Sequence, residues 1–232
     1  MQPTSLVTPP LSAWRSSIWL ALIEFVIVAG VFFADVHHHI FVSKTPYLFL
    51  LGFISLRLRG LRWRDVGFAR PRSWVTAIGV GVLAGICMEA IELFLTQPLI
   101  ARLTGKMPDL SDFADTAGNW KMLFFWLALI WLLGALGEEI VYRGYLMDRV
   151  AGLFRNTRAA WIISLLVVSV AFGGAHIDQG ITGMIENVWN GLLLGALYLA
   201  SGRNLSVPTI AHGVTDTIDL LLMYLHMYPG MK

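Results

Sequence analysis

At 232 residues, 56% hydrophobic and only 14% charged, the chain falls outside the range of soluble globular domains, for which about 45–50% apolar and about 25% charged residues are usual. Its mean hydropathy of +0.67 points to an all-α polytopic transmembrane helical bundle, residues 1–232 forming one integral-membrane domain with the lipid bilayer as its surroundings. A net charge of +2 excludes little, since in membranes the placement of Lys and Arg outweighs their sum, whereas the single cysteine, Cys87, excludes an internal disulfide.

Residues 1–13 carry prolines and small polar side chains and read as a short tail. Arg15 precedes an apolar stretch that looks like an uncleaved first span, not a signal peptide. That span is Ile18 to Phe33, interrupted only by Glu24. Asp35 and the run His37-His38-His39 follow; adjacent side chains point different ways and make a poor tetrahedral metal site, so the triplet reads as a solvated loop. Pro46 to Leu58 is short for a span and is expected to borrow Ile40 to Val42. Next come Arg57, Arg59, Arg62, Arg64, Arg70 and Arg72 against only Asp65. Such a basic loop is cytoplasmic by the positive-inside rule, which places the N-terminus inside and the loop bearing Asp109, Asp112 and Asp115 outside.

Trp74 to Leu95 is the third predicted helix, with Glu89 and Glu92 three apart on one face; they read as paired or cavity-facing groups without a chemical role. Met122 to Arg149 is the fourth and Ala159 to His176 the fifth. Ile181 to Ala200 is the sixth, where Gly191, Gly195 and Ala196 let neighbours approach. Pro208 opens a seventh helix, which carries His212, Asp216 and Asp219 and leaves Lys232 outside. About seven spans result, with eight as the alternative.

The stretch Gly134 to Arg149, GALGEEIVYRGYLMDR, sets two carboxylates where lipid disfavours them. A charge at the bilayer centre costs about 2.5–3.5 kcal/mol on insertion scales. Glu139 and Arg143 are four apart with the acid first, so they can pair on one helix face. Glu138, about 100° away on an α-helix, keeps a free carboxylate. His176 and His212 lie in other apolar helices. Asp216, four residues after His212, can orient its ring, and Phe172 stands four before His176. A carboxylate with two imidazoles suits peptide-bond hydrolysis: the acid takes a proton from water and the rings hold that water or stabilise the oxyanion. The same Glu138, His176 and His212 are also a zinc set with an open water position, which leaves zinc open as a cofactor and no metal ligand assigned.

Three short motifs in order, E-E-x-x-x-R (Glu138, Glu139, Arg143), F-x-x-x-H (Phe172, His176) and H-x-x-x-D (His212, Asp216), resemble the CPBP family of intramembrane proteases. That family groups type II CAAX prenyl proteases with bacteriocin-processing and immunity-associated (Abi) membrane proteins. Trp63 and Gly67 in WRDVGFARP, and Gly144 after the arginine, extend the likeness over roughly residues 63–220. The resemblance implies an intramembrane endopeptidase with Glu138 as the essential glutamate, His176 sharing its water and His212 facing the scissile carbonyl. Glu139, Arg143 and Phe172 support them. Asp216 stands where the family mostly has asparagine, so it is either a protonated donor or a partner of His212. Mechanism leans to a glutamate-activated water, with the metalloprotease-like reading open. A peptide or protein substrate follows, prenylated or not, and no nucleic acid. The membrane expected is the plasma (inner) membrane of a prokaryote. The rival readings are a non-catalytic scaffold or immunity factor of the same family, and a proton-coupled transporter using Glu24, Glu89, Glu92 and Glu138 as a relay. One tension is plain: Arg158 and Asp178 bracket the fifth helix and set His176 about 12 Å beyond its midpoint. The residues meet only if helices are staggered or unwound, as at Gly173-Gly174.

Overall fold

A computed structural model describes residues 17–41 and 43–230. The expected tail at 1–13, Arg15, Val42 and Lys232 lie outside the described residues. Among those described there are seven long helices and no strands. They are α1 (Ile18–Val36), α2 (Lys44–Leu58), α3 (Trp74–Thr104), α4 (Trp120–Leu153), α5 (Arg158–Gly174), α6 (Gly180–Ala200) and α7 (Ser206–Tyr224). Side chains cap four of them. The hydroxyls of Ser17, Ser73 and Thr157 and the amide oxygen of Asn119 each accept from a backbone N–H of the first turn, which satisfies donors the helix cannot pair itself.

Polarity is inverted relative to a soluble protein. Trp19, Val26, Val75, Leu83 and Phe94 are exposed, while Glu24, Glu89, Glu139 and Arg143 are buried. That arrangement suits a lipid exterior and a polar interior, and the chain is an integral membrane protein. The seven-span expectation is only partly matched. Helices stand where all seven were expected, but among the described residues α1, α3 and α4 alone are long and apolar enough to cross a membrane. A fourth crossing arises if α5 and the segment Ile177–Ala200, bent by 59°, count as one broken span. The 15 residues of α2 cover about 22 Å at 1.5 Å per residue, short of the ~30 Å hydrocarbon core.

Two helices depart from α winding. Ile130–Leu146 within α4 and Glu92–Thr96 within α3 are π-helical, with bonds reaching one residue further per turn; such windings are rare and frequent at functional sites. The largest apolar core gathers Tyr142, Tyr145 and Met147 of α4 with Leu48 of α2, Phe172 of α5 and Tyr198 of α6. A second, around Leu123, Leu220 and Met223, joins α4 to α7. Helices α3 and α7 pack closely: a Cβ on Gly85 would come within 2.6 Å of the Ala211 carbonyl.

The turn Trp63–Val66 docks between these layers. Trp63 stacks on Phe49 at 4.9 Å, and the Tyr198 hydroxyl donates to the Val66 carbonyl at 3.1 Å. Gly67 takes φ +102° and accepts from the Leu205 N–H at 3.0 Å. Its backbone is left-handed, and a Cβ there would stand 2.5 Å from the Arg203 carbonyl oxygen, so no side chain fits.

Candidate active site

The π segment of α4 splits the paired carboxylates. Glu139 is fully buried, and its Oε1 accepts from Arg143 Nη1 at 2.7 Å. Arg143 also donates to the Gly191 carbonyl at 3.3 Å and lies 4.5 Å from the Phe172 ring centre. A Cβ on Gly191 would lie 3.0 Å from the Ser169 Cα, so this small residue lets α6 approach α5 closely. Glu138, one residue earlier, turns instead into a cavity of about 490 Å³.

His176 and His212 line the same cavity, so side chains from α4, the end of α5 and α7 converge there. The offset expected for His176 is resolved by unwinding. Helix α5 ends at Gly174, and a short turn, Ile177–Gln179, redirects the chain into α6. A Cβ on Gly173 would lie 2.3 Å from Val188, so glycine there lets α6 fold back against α5. The His176 Nδ1 is 2.8 Å from the Phe172 carbonyl. Donating there, the ring keeps its Nε2 lone pair free. Phe172 sits at the centre of the set, 4.8 Å from the His176 ring, 6.0 Å from His212 and 4.9 Å from Tyr142.

His212 is held from both sides. Its Nδ1 lies 3.0 Å from Glu139 Oε1, and its Nε2 lies 3.5 Å from Asp216 Oδ2. Spacing alone assigns ring orientation to Asp216, and Asp216 does stand beside the ring. The shorter contact comes from Glu139, 73 residues away in sequence, which therefore joins Arg143 to His212 through one carboxylate oxygen.

Other expected participants lie elsewhere. Glu24 is ion-paired with Arg59 on the α1–α2 side, where the Tyr145 hydroxyl also approaches at 3.5 Å. Glu89 is buried in α3 but does not line the cavity. His37, His38 and His39 are exposed, with His37 stacked on Phe33 at 4.0 Å. Among the described residues no group of three His, Cys, Asp or Glu side chains is placed to hold a metal ion. Each histidine of the site has its Nδ1 engaged by an oxygen, and the Nε2 of His212 faces Asp216. Glu138, His176 and His212 thus share a cavity without forming a ready zinc site.

Sequence reading passes over the far wall of the cavity. Glu186, Asn187 and Asn190 of α6 line it together with Glu92 and Asp219. Asn190 Nδ2 donates to Glu92 Oε2 at 2.6 Å. A carboxylate and two amides inside one apolar helix were the available signal. Phe113, Trp126, Leu133 and Leu220 form the apolar side of the cavity. The loop before α4 adds Pro108 and Leu110 to the lining, and its Asp109 N–H donates to the Gln179 carbonyl at 3.0 Å, tying that loop to the turn after His176. In this exposed loop, hydrogen bonds from the side chain and backbone of Ser111 hold the Asp109 carboxyl below its ordinary range.

Residues 120–218, which contain every one of these converging groups from Glu138 to Asp216, match the family model described as Rce1-like, type II CAAX prenyl endopeptidase Rce1-like. Over that stretch, which is less than half of the chain, the sequence is similar to this family. No curated protein and no solved structure matches the chain. The Rce1-like family is one of endopeptidases, and the likeness supports a protease of that general kind. The matched stretch starts at the first residue of α4 and stops inside α7, leaving α1 to α3 outside it.

Proposed function

We propose that the chain cleaves a peptide bond of a peptide or protein substrate within the membrane, using water activated by Glu138. The observation that carries this reading is the meeting of Glu138 of α4, His176 of the turn after α5 and His212 of α7 on one cavity. Glu138 takes a proton from water as the water oxygen bonds to the scissile carbonyl carbon. The free Nε2 of His176 shares that water. His212, protonated on both nitrogens between the carboxylates of Glu139 and Asp216, donates Nδ1–H to Glu139 and turns its Nε2–H to the carbonyl oxygen, where it steadies the negative charge that forms. As the carbon–nitrogen bond breaks, the proton on Glu138 passes to the departing amine. The apolar side of the cavity excludes bulk water, which strengthens each of these interactions.

Asp216 supports the Nε2 side of His212 and takes no proton in this scheme. The proton-relay reading is disfavoured because Glu24 is committed to Arg59 and Glu89 lies off the cavity. The membrane in which the protein works is proposed to be a prokaryotic plasma membrane, with prenylated and unprenylated substrates both admitted.

Purified full-length protein in lipid nanodiscs, incubated with prenylated and leader peptides in ¹⁸O-enriched water, tests the proposal. One labelled oxygen should enter the new carboxyl end of a product cut at a single bond. Absence of cleavage across the panel, or cleavage without label, would contradict it. Metal analysis of the same preparation separates the two mechanisms: zinc well below one per chain with full activity fits glutamate-activated water, and stoichiometric zinc lost together with activity fits the metalloprotease-like alternative.

A further inference from the structure

The lining of the cavity carries carboxylates without cations. Glu92, Glu186 and Asp219 line it, with Glu138 and Asp216 nearby. Among the described residues no Lys or Arg is within 4.0 Å of the carboxylate oxygens of Glu92, Glu186 or Asp219. Elsewhere the protein supplies an arginine to a buried carboxylate, as at Glu24–Arg59 and Glu139–Arg143. The carboxylates of the cavity have no such partner among the described residues, and neither does Glu89 of α3.

Hydrogen-bond accounting gives a second and independent indication. Glu186 is 3% exposed, and its Oε1 meets no protein donor. Asn190 donates its amide to Glu92, and its Oδ1 is likewise buried without a partner. Both are cavity-lining, and both unmatched atoms are acceptors. Buried polar groups are normally satisfied, so a shortage of one sign at a lined cavity says what its occupant supplies. The occupant brings several N–H donors and a positive charge. Among peptide side chains an arginine guanidinium, with five donors, or a lysine ammonium, with three, does both at neutral pH.

Resting on the endopeptidase reading of the same cavity, we infer that Glu186, Glu92 and Asn190 form a subsite for a basic side chain of the substrate, a lysine or arginine within a few residues of the scissile bond. A cavity of about 490 Å³ holds only a short peptide segment, so the cation belongs to the residues next to the cut. Trp126, Leu133 and Leu220, which line the same cavity, receive apolar neighbours of that residue. The sequence preferred would combine one basic side chain with apolar residues around it.

Fluorescent decapeptides of apolar sequence, each carrying either lysine or norleucine at one position moved stepwise along the chain, test this. Binding is read by anisotropy with the Glu138→Gln full-length protein in nanodiscs, and cleavage by mass spectrometry with the unmodified protein. At one register lysine should bind and be cleaved at least tenfold better than norleucine, with arginine comparable. Glu186→Gln and Glu92→Gln should each bring the lysine-to-norleucine ratio down to within about threefold of one. Cleavage that ignores the basic residue in the unmodified protein would overturn the subsite while leaving the endopeptidase reading intact. Tighter lysine binding without any cleavage would uphold the subsite and count against the peptidase. A preference that survives intact in both glutamine variants would also overturn the assignment, because some other group would then hold the cation.

Discussion

Two regions of this protein bury carboxylates, and they treat them in opposite ways. On the α1–α2 side Glu24 is closed off: Arg59 pairs with it, Ser55 accepts from Arg59 at 3.2 Å, and the Tyr145 hydroxyl approaches from α4. Around the cavity between α3, α4, α6 and α7, Glu138, Glu92, Glu186 and Asp216 have no arginine or lysine within ion-pair distance among the described residues. A charge taken out of water without a partner is unfavourable by several kcal/mol. A carboxylate sealed by arginine therefore holds helices together, whereas one left open to a cavity is available to act on what enters. Glu139 belongs to both regions. It is locked by Arg143 and yet turns the same oxygen to His212.

That contrast can be broken most sharply at the open end. His176→Ala removes the one imidazole whose free nitrogen faces the cavity without an acidic neighbour, and turnover should fall by about 10²–10⁴-fold, the usual range for a lost proton-transfer partner. Its melting temperature should stay near that of the parent, since the ring's one hydrogen bond is to the Phe172 carbonyl at a helix end. Steady-state cleavage beside a thermal melt checks both. A stability loss that accounts for the lost activity would return His176 to a structural role.

Glu139→Gln sharpens the intermediate case. Arg143 would remain buried without its carboxylate, so the protein should lose about 3 kcal/mol of stability, measured by denaturant unfolding in detergent. Activity per folded molecule should also drop, because the glutamine no longer fixes the His212 Nδ1–H as a carboxylate does. A variant that loses stability alone would show that the Glu139–His212 contact has no catalytic use.

Asp216 should give the smallest effect. Its oxygen is 3.5 Å from Nε2 and the side chain is partly exposed. Asp216→Asn keeps an acceptor and adds a donor suited to an oxyanion, so turnover should change by less than about tenfold, while Asp216→Ala should cost more. Equal inactivation by both substitutions would mean that the carboxylate itself carries a proton or a ligand.

Much of this is legible in the sequence for one reason: charge inside an apolar run stands out. Glu138, Glu139 and Arg143 announce themselves in the run after Met122, and His176, His212 and Asp216 do so in theirs. Helix positions follow from the same runs, to within a few residues at most ends. What stays hidden depends on three dimensions. The Glu139–His212 contact joins α4 to α7 and leaves no trace in local spacing. The π winding of Ile130–Leu146 arises from how α4 packs, so the 100° offset between Glu138 and Glu139 is only an α-helical approximation. Glu186 and Asn190 are visible as polar residues in α6 but acquire meaning only from the cavity they line. The count of seven spans is not confirmed by helix length and composition, because hydrophobic runs such as Pro46 to Leu58 mark helices without fixing whether each crosses a bilayer.

The division between sealed and open carboxylates is tested most directly by setting Glu138→Gln beside Glu24→Gln in the same nanodiscs and measuring turnover and unfolding free energy for each. Glu138→Gln should leave stability within about 1 kcal/mol and abolish cleavage. Glu24→Gln, which strands Arg59, should lower stability by about 3–5 kcal/mol while the molecules that remain folded cleave at the parent rate. A Glu138→Gln protein that still turns over substrate, or that fails only in proportion to its unfolded fraction, would contradict the account.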